Sequence, residues 1–437
     1  MRSFESVPHI LIVAMYFPPS RGSGVYRPLA QANYFARHGW DVTVITVDEA
    51  HFDDVSGSSD PSLVTRIDPA VTVLRVPMPR GHLQSNIRRI GWWRANFPKV
   101  SAHVDGLAAR IFPDKYTQWI PQVVQRALRL HRRHRIDLVL ATGNPWSAFE
   151  AARQLRRLTR IPYVVDYRDS WTLSQFREEA AFPPGHRAYA AESAIMSSAA
   201  AAVFVNEPMR HWHAERYPDA ASRMLVLENG YDADLVAAAP YRRPDPDQPL
   251  RFGSVGTITE VWPHQEAWGG WREARTHPEL DGATLDLYGH LGFFPRTVPV
   301  IEAMLPGPGS GVTWRGPVAK TELDQVYADL DVLLLAIPSS RYVTAGKVYE
   351  AMATGKPIVA VHTPQTAASD PLREYPLWFP VRELSVDAAA DAYVGAARAA
   401  RSITPDQHAA ALAHALGYRR DVLLEPFEQE LRRLAHA

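Results

Sequence analysis

The sequence contains no cysteine, which excludes disulfides, thiolate zinc sites, iron–sulfur clusters and cysteine nucleophiles. Lysine is scarce. Of 47 basic residues only five are lysines: Lys99, Lys115, Lys320, Lys347 and Lys356. A lysine inside a glycine loop therefore stands out. Net charge is missing as well, because 47 Lys and Arg are matched by 47 Asp and Glu. No global field concentrates a polyanion, so nucleic-acid binding by the chain as a whole is not expected. Long apolar runs are also absent; the run His9–Phe17 stops at Pro18 and Pro19, well short of the roughly 18 residues of a membrane span. The expected compartment is the cytoplasm, with any membrane contact made from the side.

What is present is a chain of 437 residues, about three times a typical domain. Short apolar runs alternate with helix-length amphipathic stretches from end to end. The first series is Ile10–Phe17, Asp41–Val47, Val71–Val76, Asp137–Thr142, Tyr163–Asp166, Ala201–Val205 and Met224–Leu227. A second series follows at Arg251–Val255, Thr284–Tyr288, Val312–Arg315, Asp331–Ile337, Pro357–His362 and Leu377–Pro380. Near-continuous apolar strands separated by helices imply parallel sheets covered on both faces. The fold class expected is α/β, with two doubly wound, Rossmann-like domains facing a central cleft. Four prolines in Pro240–Pro249 predict a stiff linker between them. The expected division is 1–242 and 243–414, with a helix over about 415–437 packing back on the first domain.

In such sheets ligands bind beyond the carboxyl ends of the strands, which directs attention to three loops. The first, Phe17–Arg27, places Gly22, Ser23 and Gly24 before a helix whose N-terminal amides are open to a ligand. It is neither a Gly-x-Gly-x-x-Gly loop nor a Walker loop, and a plain strand-to-helix turn is the competing reading. The second, Val165–Trp171, sets Arg168 between Asp166 and Asp169, with Asn144 expected beside it at the neighbouring strand end. Here a structural salt-bridge corner competes with a substrate contact. The third, Ser339–Pro357, holds Thr344, Ala345 and Gly346 at a helix start, then Lys347 and, one turn later, Glu350. Amides and an ammonium there suit a phosphate, and the carboxylate suits a ribose diol. A helix that happens to carry Lys and Glu on its solvent face is the alternative.

The segment Glu350–Ala360 resembles the nucleotide-sugar motif of family-4-like glycosyltransferases, which have the two-domain GT-B fold. The likeness extends to Pro18, Pro19, Gly22, Gly24 and Arg27, to His38–Thr46, to Pro162–Trp171 and to Glu228–Asp232. The resemblance implies transfer of a sugar from a nucleotide-diphosphate donor to a hydroxyl acceptor (a sugar, lipid-linked sugar or natural product) with retention of configuration. It implies a donor on the C-terminal domain, with Glu350 on the ribose and the preceding loop on the diphosphate, and an acceptor on the N-terminal domain. Gly22, Ser23, Gly24, Arg27, Asn144, Arg168 and Asp169 become the acceptor-side set, with Asp166 and Asp169 as candidates for acceptor hydroxyls, and Asp166, Lys347 and Glu350 the candidate catalytic set. No cofactor beyond the donor co-substrate is implied, and no metal. The Asp-x-Asp pairs Asp232/Asp234, Asp245/Asp247 and Asp329/Asp331 fall in a turn, the linker and a strand entry. His211 and His213, two apart, lack metal-ligand spacing.

Two departures from the family are visible. Its first glutamate, eight positions before the second, is here Tyr342, so contacts to the donor sugar are expected to differ. Its Arg and Lys after the first C-terminal-domain strand are replaced by Gly253–His264, which makes Lys347, with amides near Gly256 and Thr257, the candidate for the missing charge. A nucleotide-sugar epimerase or pseudo-glycosyltransferase on the same fold remains an alternative. A two-domain sugar-binding protein is the alternative from another class; a dinucleotide oxidoreductase lacks its glycine fingerprint. From Arg80 to Arg135 twelve Arg and Lys face two acids, Asp105 and Asp114. The aromatic part of this stretch, 88–99, suits contact with an anionic lipid surface, against the plainer reading of a solvated helix with Trp in the core.

Overall fold

The computed structural model describes residues 7–52, 59–78, 112–292, 295–319 and 322–436, together with 96, 97, 99, 100 and 106. The basic stretch 88–99 thus lies, apart from 96, 97 and 99, outside the described residues. The chain divides into two compact units. The first comprises Met1–Ser174, Glu179–Leu227 and Leu424–Ala437, and the second Gln175–Glu178 and Glu228–Leu423.

Seven parallel strands build the first unit: β1 (His9–Val13), β2 (Asp41–Val47), β3 (Val71–Val76), β4 (Leu138–Gly143), β5 (Tyr163–Tyr167), β6 (Ala201–Phe204) and β7 (Met224–Val226). Their order across the sheet is β3-β2-β1-β4-β5-β6-β7. All residues of β1, β4 and β5 are buried, because helices cover both faces; this is why those strands read as continuous apolar runs. The crossover helices are α1 (Tyr26–Arg37), α2 (Ile120–Arg133), α3 (Ser147–Thr159), α4 (Arg187–Ser198) and α5 (Glu207–Arg216). Helix α2 buries Ile120, Val123, Val124 and Ala127, a single stripe at helical spacing. Helix α5 starts where the Asn206 side chain accepts the Met209 amide at 2.9 Å. The end of the last helix, Arg420–Ala435, completes this unit. Phe427 packs on Phe35 at 6.3 Å between ring centres, and the Trp40 indole donates to Glu428 at 2.7 Å.

The second unit repeats the plan with β8 (Arg251–Val255), β9 (Thr284–Tyr288), β10 (Val312–Gly316), β11 (Val332–Ala336), β12 (Ile358–Val361) and β13 (Trp378–Pro380). Its order is β10-β9-β8-β11-β12-β13. Both units therefore have the Rossmann order, in which the first and fourth strands are neighbours and a crevice opens between their carboxyl ends. Helices here are α6 (His264–Ala274), α7 (Val298–Met304), α8 (Leu323–Asp329), α9 (Gly346–Ala353), α10 (Val386–Ser402) and α11 (Pro405–Leu416). Gly269 and Gly270 let α10 lie directly on α6: a Cβ on Gly270 would fall 2.5 Å from that of Ala389. The Pro240–Pro249 segment is tied to this unit. The Tyr241 hydroxyl donates to Ile403 O at 3.1 Å, and Arg242 pairs with Asp331.

Candidate active site

In the first unit the crevice lies between the ends of β1 and β4. Arg168, just beyond β5, lies across the backbone of Gly24, where an added Cβ would fall 1.4 Å from the guanidinium Nη1. Its Nη2 reaches the Asn144 carbonyl at 3.3 Å and Asp169 at 3.4 Å. Gly24, Asn144, Arg168 and Asp169 are thus brought together. Gly22 and Ser23 form the turn into α1, closed by Val25 N–H donating to Gly22 O at 3.0 Å.

Asp166 departs from expectation. Arg168 was expected between two acids, yet Asp166 is fully buried and held instead by Arg27 from α1, with bonds of 2.7 and 2.8 Å. Gln31 donates a third bond at 2.8 Å, and Arg27 Nη1 reaches Leu227 O at 2.9 Å. Both oxygens of this carboxylate are thus already engaged by Arg27 and Gln31. The pair Arg27–Asp166 braces α1 against β5, so Arg27, expected on the acceptor side, is buried in this ion pair instead.

The second unit has its crevice between the ends of β8 and β11. Gly256 (φ +121°) and Gly289 (φ +147°) sit so close that a Cβ on Gly289 would meet Gly256 O at 2.0 Å. This packing of two backbones keeps the loop after β8 low. Lys347, in the first turn of α9, lies over it: its Cδ is 3.6 Å from the Cβ position of Gly256. The ammonium donates to Ala336 O at 3.2 Å and stands 4.2 Å from the centre of the Trp262 ring. Burial pulls its pKa down from 10.5 to about 7, with Glu350 opposing the shift.

No side chain caps the start of α9, whose N-cap is Ala345 and whose first turn carries no acid. Glu350 is half-buried, one turn along, and accepts from the Tyr327 hydroxyl at 3.4 Å. Thr344 is buried, and its carbonyl accepts from the Asn229 side chain at 3.1 Å. Thr257 is half-buried in the loop after β8. The structure thus gathers Gly256, Thr257, Thr344, Ala345, Gly346, Lys347 and Glu350 at one strand edge. Tyr342 is buried with its amide on Ser340 Oγ at 3.1 Å.

Sequence reasoning did not single out Trp262. Two buried atoms at the same edge, Ser254 Oγ and His362 Nε2, have no hydrogen-bond partner among the described residues; both residues lie in or just after strands, a position that could have flagged them. Lys356, in the resembling motif, has another use: its ammonium caps the carbonyls of Tyr327, Ala328 and Leu330 at the end of α8.

Two family models match this chain. One, described as a glycosyl transferase 4-like domain, matches residues 21–230; the other, glycosyl transferases group 1, matches residues 272–394. The chain belongs to the family-4-like glycosyltransferases. Solved structures agree on the fold. A glycosyltransferase from Rickettsia africae superposes with a TM-score of 0.68 at 13% identity, over 98% of this chain and 99% of that one. Sucrose-phosphate synthase from Thermosynechococcus elongatus gives 0.64 at 16%, with 98% and 99% covered. Anabaena HepE, solved with UDP and glucose, gives 0.60 at 16%, with 97% and 99% covered. A search of curated proteins returned no match.

Two of the acids in the Asp-x-Asp pairs hold arginines. Asp331 pairs with Arg242 and accepts the Arg251 amide at 2.9 Å, and Asp232 pairs with Arg420 at 3.2 Å. Among the described residues no helix is long and apolar enough to cross a membrane.

Proposed function

We propose that this glycosyltransferase moves a sugar from a nucleotide-diphosphate donor to an acceptor hydroxyl with retention of configuration and without a metal. The observation that carries this reading is Lys347, poised over Gly256 at the uncapped start of α9 with Glu350 one turn away. The acceptor oxygen attacks the anomeric carbon from the face that the diphosphate leaves. The C1–O bond to phosphate breaks as the C1–O bond to the acceptor forms, and the acceptor proton passes to a diphosphate oxygen. The leaving group gains charge during this step. Protonated Lys347 and the amides of Gly346 and Lys347 would stabilise it, since groups aimed at developing charge contribute most to such a barrier. Glu350 would accept the ribose hydroxyls.

The second unit takes the donor and the first unit the acceptor in this reading. HepE, similar in fold, was solved with UDP and glucose, which makes uridine sugars the first to try. The test is a screen of UDP-, GDP-, ADP- and dTDP-sugars for diphosphate release, with the anomeric configuration of any product read by NMR. An inverted product contradicts retention; a free epimer or a non-glycosidic product points to the alternative chemistries on this fold.

A further inference from the structure

We propose that the acceptor carries an anionic group, a phosphate or carboxylate, which binds Arg168 at the crevice of the first unit. The proposal deepens the reading of that unit as the acceptor side and rests on it. Two arginines occupy this region and differ sharply. Arg27 is held by Asp166 and Leu227 O through bonds of 2.7–2.9 Å. Arg168 is loosely held although its side chain is only 16% exposed. Its bonds to Asn144 O and Asp169, at 3.3 and 3.4 Å, share one nitrogen. Charge-assisted bonds are normally about 2.7–2.9 Å, and a guanidinium cannot shed its charge.

The surroundings keep this cation in place. Gly24 leaves room for it, and the loop that bears it is fixed: Trp171 stacks on Trp146, 5.7 Å between centres, and Ser170 Oγ lies 3.3 Å from the buried His213 Nε2. The Tyr16 ring lies 5.8 Å from the guanidinium, and its hydroxyl is 3.5 Å from that of Tyr116. A second cation, Lys115, stands 4.8 Å from the Tyr116 ring centre. Of the acids here, Asp169 is 43% exposed, Asp114 is spent on the amide and hydroxyl of Ser147 at 2.6 and 2.8 Å, and Asp166 is taken by Arg27. A planar guanidinium fork with phenols beside it matches the oxygens of a phosphate or carboxylate. A neutral sugar would leave that fork unused.

Binding rather than turnover tests this, so a failure of the donor reading would not touch the result. The full chain, without nucleotide, is titrated by calorimetry with glucose, glucose 6-phosphate, glucuronate, inorganic phosphate and geranyl diphosphate. The last separates a lipid-linked phosphate from a free sugar phosphate. The expected result is binding of one or more anions and not of glucose. Arg168→Gln should lower that affinity by about tenfold or more, while Asp169→Asn raises it, with unchanged melting temperature as the folding control. The proposal is overturned if no anion binds, if glucose binds as tightly as its phosphate, or if Arg168→Gln binds anions like the wild type. Should Arg168→Gln prove unfolded, the Asp169→Asn titration decides alone: affinity that is unchanged or weakened contradicts the proposal.

Discussion

Lys347 holds its ammonium 4.2 Å from the centre of the Trp262 ring while donating to Ala336 O. The contact is partial compensation for an amine withdrawn from water, whose pKa falls to about 7. Such a residue stabilises the fold less than an apolar one would, yet a diphosphate arriving beside it restores a counter-charge.

Stability and function should therefore move in opposite directions at Lys347. The unfolded chain binds the Lys347 proton up to about 10.5 and the folded chain only to about 7. Between those values the unfolded state holds more protons, so this residue makes stability rise with pH across that window. Lys347→Met should raise the melting temperature most below about pH 7 and flatten its pH dependence, while weakening nucleoside diphosphate binding. In the wild type, diphosphate affinity should decline as pH rises past about 7, read by titration at several pH values.

Asp166 should behave as a brace. Breaking a buried, hydrogen-bonded ion pair costs about 3–5 kcal/mol, so Asp166→Ala should lower stability by that order in denaturant titration. A variant that keeps wild-type stability but loses turnover would instead make Asp166 an acceptor-activating base.

Gly24→Ala places a methyl where the Arg168 guanidinium lies. The displaced atoms are the far end of a flexible side chain, so the fold should survive with a change in stability of under about 1 kcal/mol. Acceptor KM should rise, as is expected of Arg168→Gln, with donor hydrolysis unaltered. A melting temperature that collapses would show that the loop, rather than the guanidinium, needs this glycine.

Gly289→Ala acts on the other crevice. Its methyl would strike the Gly256 carbonyl at 2.0 Å with φ at +147°, and backbone strain of this kind costs about 1–3 kcal/mol before the clash is relieved. Both stability and nucleotide affinity should fall together. Tyr327→Phe, which removes the 3.4 Å bond to Glu350, should leave stability near wild type and weaken nucleotide binding by under about tenfold.

Much of this was legible in the sequence, for physical reasons. Strands covered on both faces leave unbroken apolar runs, so two series of strands could be read directly, and the rarity of lysine marked Lys347. Contacts across sequence could not be read. Arg27 and Asp166 are 139 positions apart, and nothing local says that Asp166 turns to α1 while Arg168 folds onto Gly24. Lys356 sits in a motif that reads as functional, yet three helix-end carbonyls hold it. Trp262 was hidden because nothing local says that its ring meets the ammonium of Lys347, 85 positions on.

The donor site is tested most directly by calorimetric titration of UDP, GDP, ADP and dTDP into wild type, Lys347→Met and Glu350→Ala. At least one diphosphate should bind the wild type, and both substitutions should weaken it by about tenfold or more. Binding that both variants retain in full, or no binding to the wild type at all, would contradict a donor site at Gly256, Lys347 and Glu350.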